Sequence, residues 1–79
     1  MRKRQISTRH DAAGLVFAAL LHLGGKGTTN EVYLTVASRF PFVTRIRDYK
    51  YALRWARHVL VARGVMRDDS PRGIWELAV

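Results

Sequence analysis

Lys50, Arg54, Arg57 and His58 recur at steps of four, three and one, the spacing that puts side chains on one face of an α-helix. An arginine presents its donors in a planar fork that can hold two acceptor atoms at once, on a phosphate or on the O6 and N7 edge of guanine. Asp48 is the only carboxylate within a helical turn of any of these four residues. A cationic face without acids points to chemistry directed at a polyanion, although a solvated helix face is the plainer account of the same residues. Arg54 is the leading candidate for a base contact, and Tyr51 is counted on the same helix.

Other cations are placed to support such a face. Arg67 and Arg72 flank the segment Asp68-Asp69-Ser70-Pro71 and are candidates for phosphate or minor-groove contact. The alternative is solubility, or pairing with Asp68 and Asp69. Arg45 and Arg47 stand in the connection before the cationic helix, and Thr29 and Asn30 open a shorter helix whose free backbone N–H groups favour an anion. Arg2, Lys3 and Arg4 form an arm that can enter a minor groove or simply add nonspecific attraction.

The rest of the composition narrows the field. A chain of 79 residues makes one small domain that needs nearly every apolar residue for its core, leaving little room for an enclosed active site. A hydrophobic share of 48% belongs to a folded domain and not to a disordered tail. There is no cysteine, hence no disulfide or thiolate metal site, and His10, His22 and His58 lack the close spacing of a zinc cluster. No metal and no cofactor are expected. Absence of cysteine fits an intracellular chain, in the cytoplasm or associated with the nucleoid.

Fourteen Lys and Arg against six Asp and Glu give a net charge of +8, which attracts nucleic acid or acidic lipid. Nine of the basic residues fall between Arg39 and Arg72, whereas Asp11 to Gly25 carries none. A membrane partner is not expected. The apolar run from Ala12 to Leu23 is too short to span a bilayer, offers no small-x-small cleavage site, and is not a basic amphipathic helix. Nor is an enzyme expected. Asp48-Tyr49-Lys50 echoes the Asp-x-Lys of a nuclease, but metal-dependent cleavage needs a further placed acid, and the spare acids here read as a cap, a turn and a strand end.

These residues must be positioned by a scaffold, and its elements can be traced. Residues 1–10 read as a basic mobile arm and residues 11–79 as one domain. From Asp11, Val16, Leu20 and Leu23 keep helical spacing, with Ala13, Phe17 and Leu21 widening the stripe, and Gly24-Gly25 ends the first helix. Lys26 to Thr28 can form a very short strand. Thr28-x-x-Glu31 has the form of a capping box and starts a second helix with Val32, Tyr33, Val36, Ala37 and Phe40 inward, ended by Pro41. Asp48 or Thr44 can cap a third helix that buries Tyr49, Ala52, Leu53, Ala56, Val59 and Leu60, with Trp55 at its edge and also turned toward the core. Gly64 ends it. A strand around Val65 to Arg67, a turn, and a strand from Gly73 with Trp75, Leu77 and Val79 on one face complete the chain. The fold class is α+β, a winged helix-turn-helix of three helices plus a C-terminal two-stranded wing.

In "LVFAALLHLGG" with "NEVYLTVASRF", "WARHVLVARGVM" and "PRGIWELA", the chain resembles the winged-helix domain at the N-terminus of Mrr-type modification-dependent restriction endonucleases. The resemblance covers nearly all of the chain outside the arm. It departs at Ala78, where the family usually has threonine, and at Tyr49, Tyr51 and Ala52, where the family's third helix starts more basic or polar. It implies a double-stranded DNA reader of sequence or base modification in a restriction or mobile-element system, and nothing here corresponds to the family's nuclease domain. Two alternatives stand beside it: a small winged-helix transcriptional regulator, and a protein–protein interaction or RNA-binding module. A protein partner or a fused effector domain is compatible with each.

Overall fold

A computed structural model describes residues 8–78. The first helix, α1, runs Thr8–His22. It is therefore already helical at Thr8, ahead of Asp11, because nothing in Thr8-Arg9-His10 breaks a helix although their polarity carries no periodic signal. Arg2, Lys3 and Arg4 lie outside the described residues, as does Val79. Ala12, Ala13, Val16, Ala19 and Leu20 are the buried stripe of α1. Phe17 and Leu21, expected to widen that stripe, are 39% and 57% exposed. The small alanines at 12, 13 and 19 let a neighbouring helix approach closely on one side, and this leaves the side carrying Phe17 and Leu21 uncovered.

Gly24, at φ 87°, turns the chain out of α1. Gly25 N–H donates to Leu20 O (2.8 Å) and Gly24 N–H to Leu21 O (3.2 Å), the paired bonds of a Schellman cap. The chain then enters β1, Lys26–Thr28, as the sequence suggests, and α2, Thr29–Arg39. The capping box is present: Glu31 N–H donates to Thr28 Oγ1 (3.0 Å) and Thr28 N–H to Glu31 Oε1 (2.8 Å). Val32 and Val36 are fully buried beneath α2. Pro41 does end α2, and Pro41–Arg45 forms a 3₁₀ turn.

The third helix, α3, is Tyr49–Ala62. Neither expected cap is made. Asp48 holds the N-cap position, but at φ 59° its backbone is left-handed and its carboxylate accepts no capping bond; Thr44 Oγ1 instead donates to Pro41 O (2.9 Å). Ala52, Leu53, Ala56 and Leu60 are buried, with Tyr49 and Val59 partly so, and α3 packs chiefly on α1. Gly64, at φ 77°, repeats the Schellman cap, with Val65 N–H donating to Leu60 O (2.8 Å) and Gly64 N–H to Val61 O (3.0 Å).

The sheet differs from the expected C-terminal hairpin. The strand β2, Ile74–Glu76, pairs antiparallel with β1, in the register Lys26↔Glu76, Gly27↔Trp75 and Thr28↔Ile74. Val65 to Arg67 contributes only the isolated bridge Met66↔Leu77, with Ala78 N–H donating to Val65 O (2.8 Å) and Arg67 N–H to Glu76 O (2.9 Å). The tight turn out of α3 and the bend through residues 68–70 leave too little extended backbone for a longer ladder. The result is an α+β fold of three helices and a two-stranded antiparallel sheet, compatible with a winged helix. Trp75 and Leu77, at 4% and 6% exposed, close the core from the sheet side. No helix among the described residues is long and apolar enough to cross a membrane.

Candidate nucleic-acid interface

Helical geometry distributes α3 into three strips. Ala52, Leu53, Ala56 and Leu60 face inward. Tyr51 and Trp55, at 58% and 38% exposed, lie on one outer flank, so Trp55 is not the core residue its spacing suggests. α1 covers the adjacent strip, and the wide indole at the margin is left half in solvent, its ring tilted against His58 with centroids 5.7 Å apart. On the other flank are Lys50, Arg54 and Arg57.

That second flank forms one wall of an open groove of about 360 Å³, within the range of roughly 300–1,000 Å³ common to ligand clefts. Arg54, Arg57 and His58 line it from α3, and Thr29 and Tyr33 from α2. The opposite wall is the C-terminal turn from Ser70 to Ile74, including Arg72, with Trp75 below. Arg54 and Arg72 are exposed, and Arg57 is set deeper. Among the described residues none of these three arginines is ion-paired; the ion pairs belong to Arg67. Like charges gathered without a counter-ion repel one another, and an entering anion relieves that repulsion as well as gaining hydrogen bonds.

The two arginines that flank the turn differ. Arg67 Nε and Nη2 donate to the two oxygens of Asp69 at 3.0 and 3.1 Å, and Glu76 Oε2 lies 4.0 Å from Arg67 Nη1. The hydrogen bond to Asp69, then its charge, then the charge of Glu76 raise the Arg67 pKa. The same hydrogen bond and then the guanidinium charge hold the Asp69 carboxyl below its ordinary value. Ser70 Oγ donates to Glu76 Oε1 (3.1 Å), so this outer side of the turn neutralises itself. Of the two readings of Arg67, pairing with the turn acid is the one observed.

At the start of α2 most first-turn donors are already used. Glu31 N–H is held by Thr28 Oγ1. Thr29 N–H donates to Gly73 O (2.9 Å), and Thr29 Oγ1 makes a longer contact with the same oxygen (3.4 Å). Thr29 borders the groove through a side chain committed to the turn, while Asn30 is exposed outside it. Arg45 and Arg47 are exposed near the N-terminal end of α3 and do not line the groove. Tyr51 also stays outside it.

Tyr33 packs partly against the core, as its place in the inward stripe of α2 predicts, and it also lines the groove. A signal was available: it lies one helical turn after Thr29 and therefore shares its face. Lys50 Nζ stands 5.9 Å from the Tyr33 ring centroid, which brings Lys50 to the groove margin. A separate cavity of about 50 Å³, lined by Leu15, Phe42 and Ile46 among others, gathers no cation. Comparison of the chain with protein-family models, curated proteins and solved structures finds no match.

Proposed function

We propose that the chain is a winged helix-turn-helix module that binds double-stranded DNA. The observation that carries this reading is the groove of cations without acids, in which Arg54, Arg57 and Arg72 from two elements meet with no carboxylate partner among the described residues. In this reading α3 lies in the major groove, Arg54 and His58 meet base edges, and Arg57 and Arg72 hold backbone phosphates. The C-terminal turn is the wing. Arg45 and Arg47 approach the backbone near the start of α3, and Arg2, Lys3 and Arg4 add attraction from the N-terminal arm. Arg67, neutralised by Asp69, contributes little. The resemblance to the Mrr-type winged helix supports a setting in a restriction or mobile-element system; a small transcriptional regulator would use the same contacts.

The test is fluorescence-anisotropy binding to matched unmodified, adenine-methylated and cytosine-methylated duplexes, with single-stranded RNA alongside, at several salt concentrations. A duplex that keeps its advantage as salt rises is the expected result, since base contacts persist where counter-ion release fades. Equal binding to all four, vanishing near physiological salt, would sink the reading and leave a protein partner as the leading one.

A further inference from the structure

The Tyr33 ring is held on two sides. It stands edge-on to Trp75, with centroids 5.9 Å apart and planes at 88°, and Lys50 Nζ approaches its centroid to 5.9 Å. The residue is half-buried, and among the described residues no hydrogen bond engages its hydroxyl. Since no buried side-chain polar atom among the described residues is left unsatisfied, this hydroxyl is open to solvent and so accessible to a ligand. Tyr33 lines a groove bordered by Arg54 and Arg57 on one wall and Arg72 on the other. Beside cations a hydroxyl turns its lone pairs toward the positive charge and its proton away, ready to meet an anion.

The depth of the residue decides which anion atom it meets. Base edges are reached by the most exposed groove residues of α3, Arg54 and His58, whereas Arg57 and, on α2, Tyr33 are only partly exposed. Building on the DNA reading above, we infer that the Tyr33 hydroxyl donates to a backbone phosphate, and that one phosphodiester strand passes between α3 and the C-terminal turn. The phosphate is seated against Tyr33, Arg57 and Arg72. Tyr33 is then a direct contact that sets how far the strand sinks into the groove, and it carries no base information itself.

The experiment compares wild type with Tyr33→Phe, which keeps both ring contacts and removes only the hydroxyl. Binding is measured by anisotropy at fixed salt on a short duplex and on a series in which one linkage at a time is an uncharged methylphosphonate. On the native duplex Tyr33→Phe is expected to lose about tenfold in affinity, the scale of a hydrogen bond to a charged acceptor, with its thermal midpoint unchanged. At one linkage the loss caused by the substitution should shrink below about threefold, because the group the hydroxyl met is no longer charged. Binding of Tyr33→Phe equal to wild type on the native duplex overturns the inference and leaves the DNA reading standing. So does a tenfold loss that persists unchanged at every neutral linkage. Failure of the wild type to bind any duplex removes the DNA reading and this inference together.

Discussion

Arg67 and Arg72 flank the same turn and meet opposite surroundings. On the outer side Asp69 accepts two hydrogen bonds from Arg67, and Glu76, which itself accepts from Ser70, adds its charge. On the inner side Arg72 faces Arg54, Arg57 and His58 across an open groove. The net charge of +8 does not distinguish these sides; the placement of a few carboxylates does. A cation satisfied within the protein gains less from an external phosphate, since it must first exchange an existing partner.

The sharpest way to break this contrast is Arg54→Ala. It should weaken a preferred duplex by about 1–3 kcal/mol and weaken unrelated sequences less, measured by anisotropy on both; equal losses would make Arg54 a phosphate contact. Next comes the turn itself. Arg72→Ala should reduce affinity for all duplexes alike and lower the slope of log K against log salt by about 0.9, one phosphate contact, whereas Arg67→Ala should leave that slope unchanged. Similar slopes in both variants would erase the distinction between the two sides.

A smaller effect is expected from Asp69→Asn, which releases Arg67. The salt slope should steepen by less than one contact's worth of about 0.9, because Glu76 still stands 4.0 Å from Arg67. The smallest is expected in an NMR proton titration of Asp69. Its folded pKa is depressed from 3.8, so the interaction with Arg67 is fully present above that value and is lost as pH falls through the folded midpoint. In Arg67→Ala the midpoint should return upward toward 3.8.

Much of the fold can be read from local chemistry. The capping box at Thr28 and Glu31, and the glycine caps at Gly24 and Gly64, depend on residues only a few positions apart, and they form as their spacing indicates. Asp48 shows where such reading stops, because an aspartate can cap only if its backbone aims the carboxylate at the helix, and φ 59° does not. Trp55 and Tyr33 show a second limit. Periodicity gives the face of a helix, but the neighbour that covers that face is a tertiary matter: α1 leaves Trp55 at the margin, and the approach of α3 and the turn brings Tyr33 into a groove. Arg54, Arg57 and Arg72 were legible as candidates, while their assembly across two elements was not, since it depends on where β2 docks against β1.

The bond from Thr29 N–H to Gly73 O has a mechanical consequence. It ties the first residue of α2 to the foot of the C-terminal turn, directly beyond the Thr28↔Ile74 pair, so the far wall of the groove is stapled to a helix that also carries part of its floor. On the DNA-binding reading, this bond holds the far wall in place before a strand enters. On that reading part of the entropy cost of ordering the wall is met when the chain folds. Loosening that staple would shorten the residence time of a bound strand while leaving its rate of arrival, governed by long-range charge, nearly untouched.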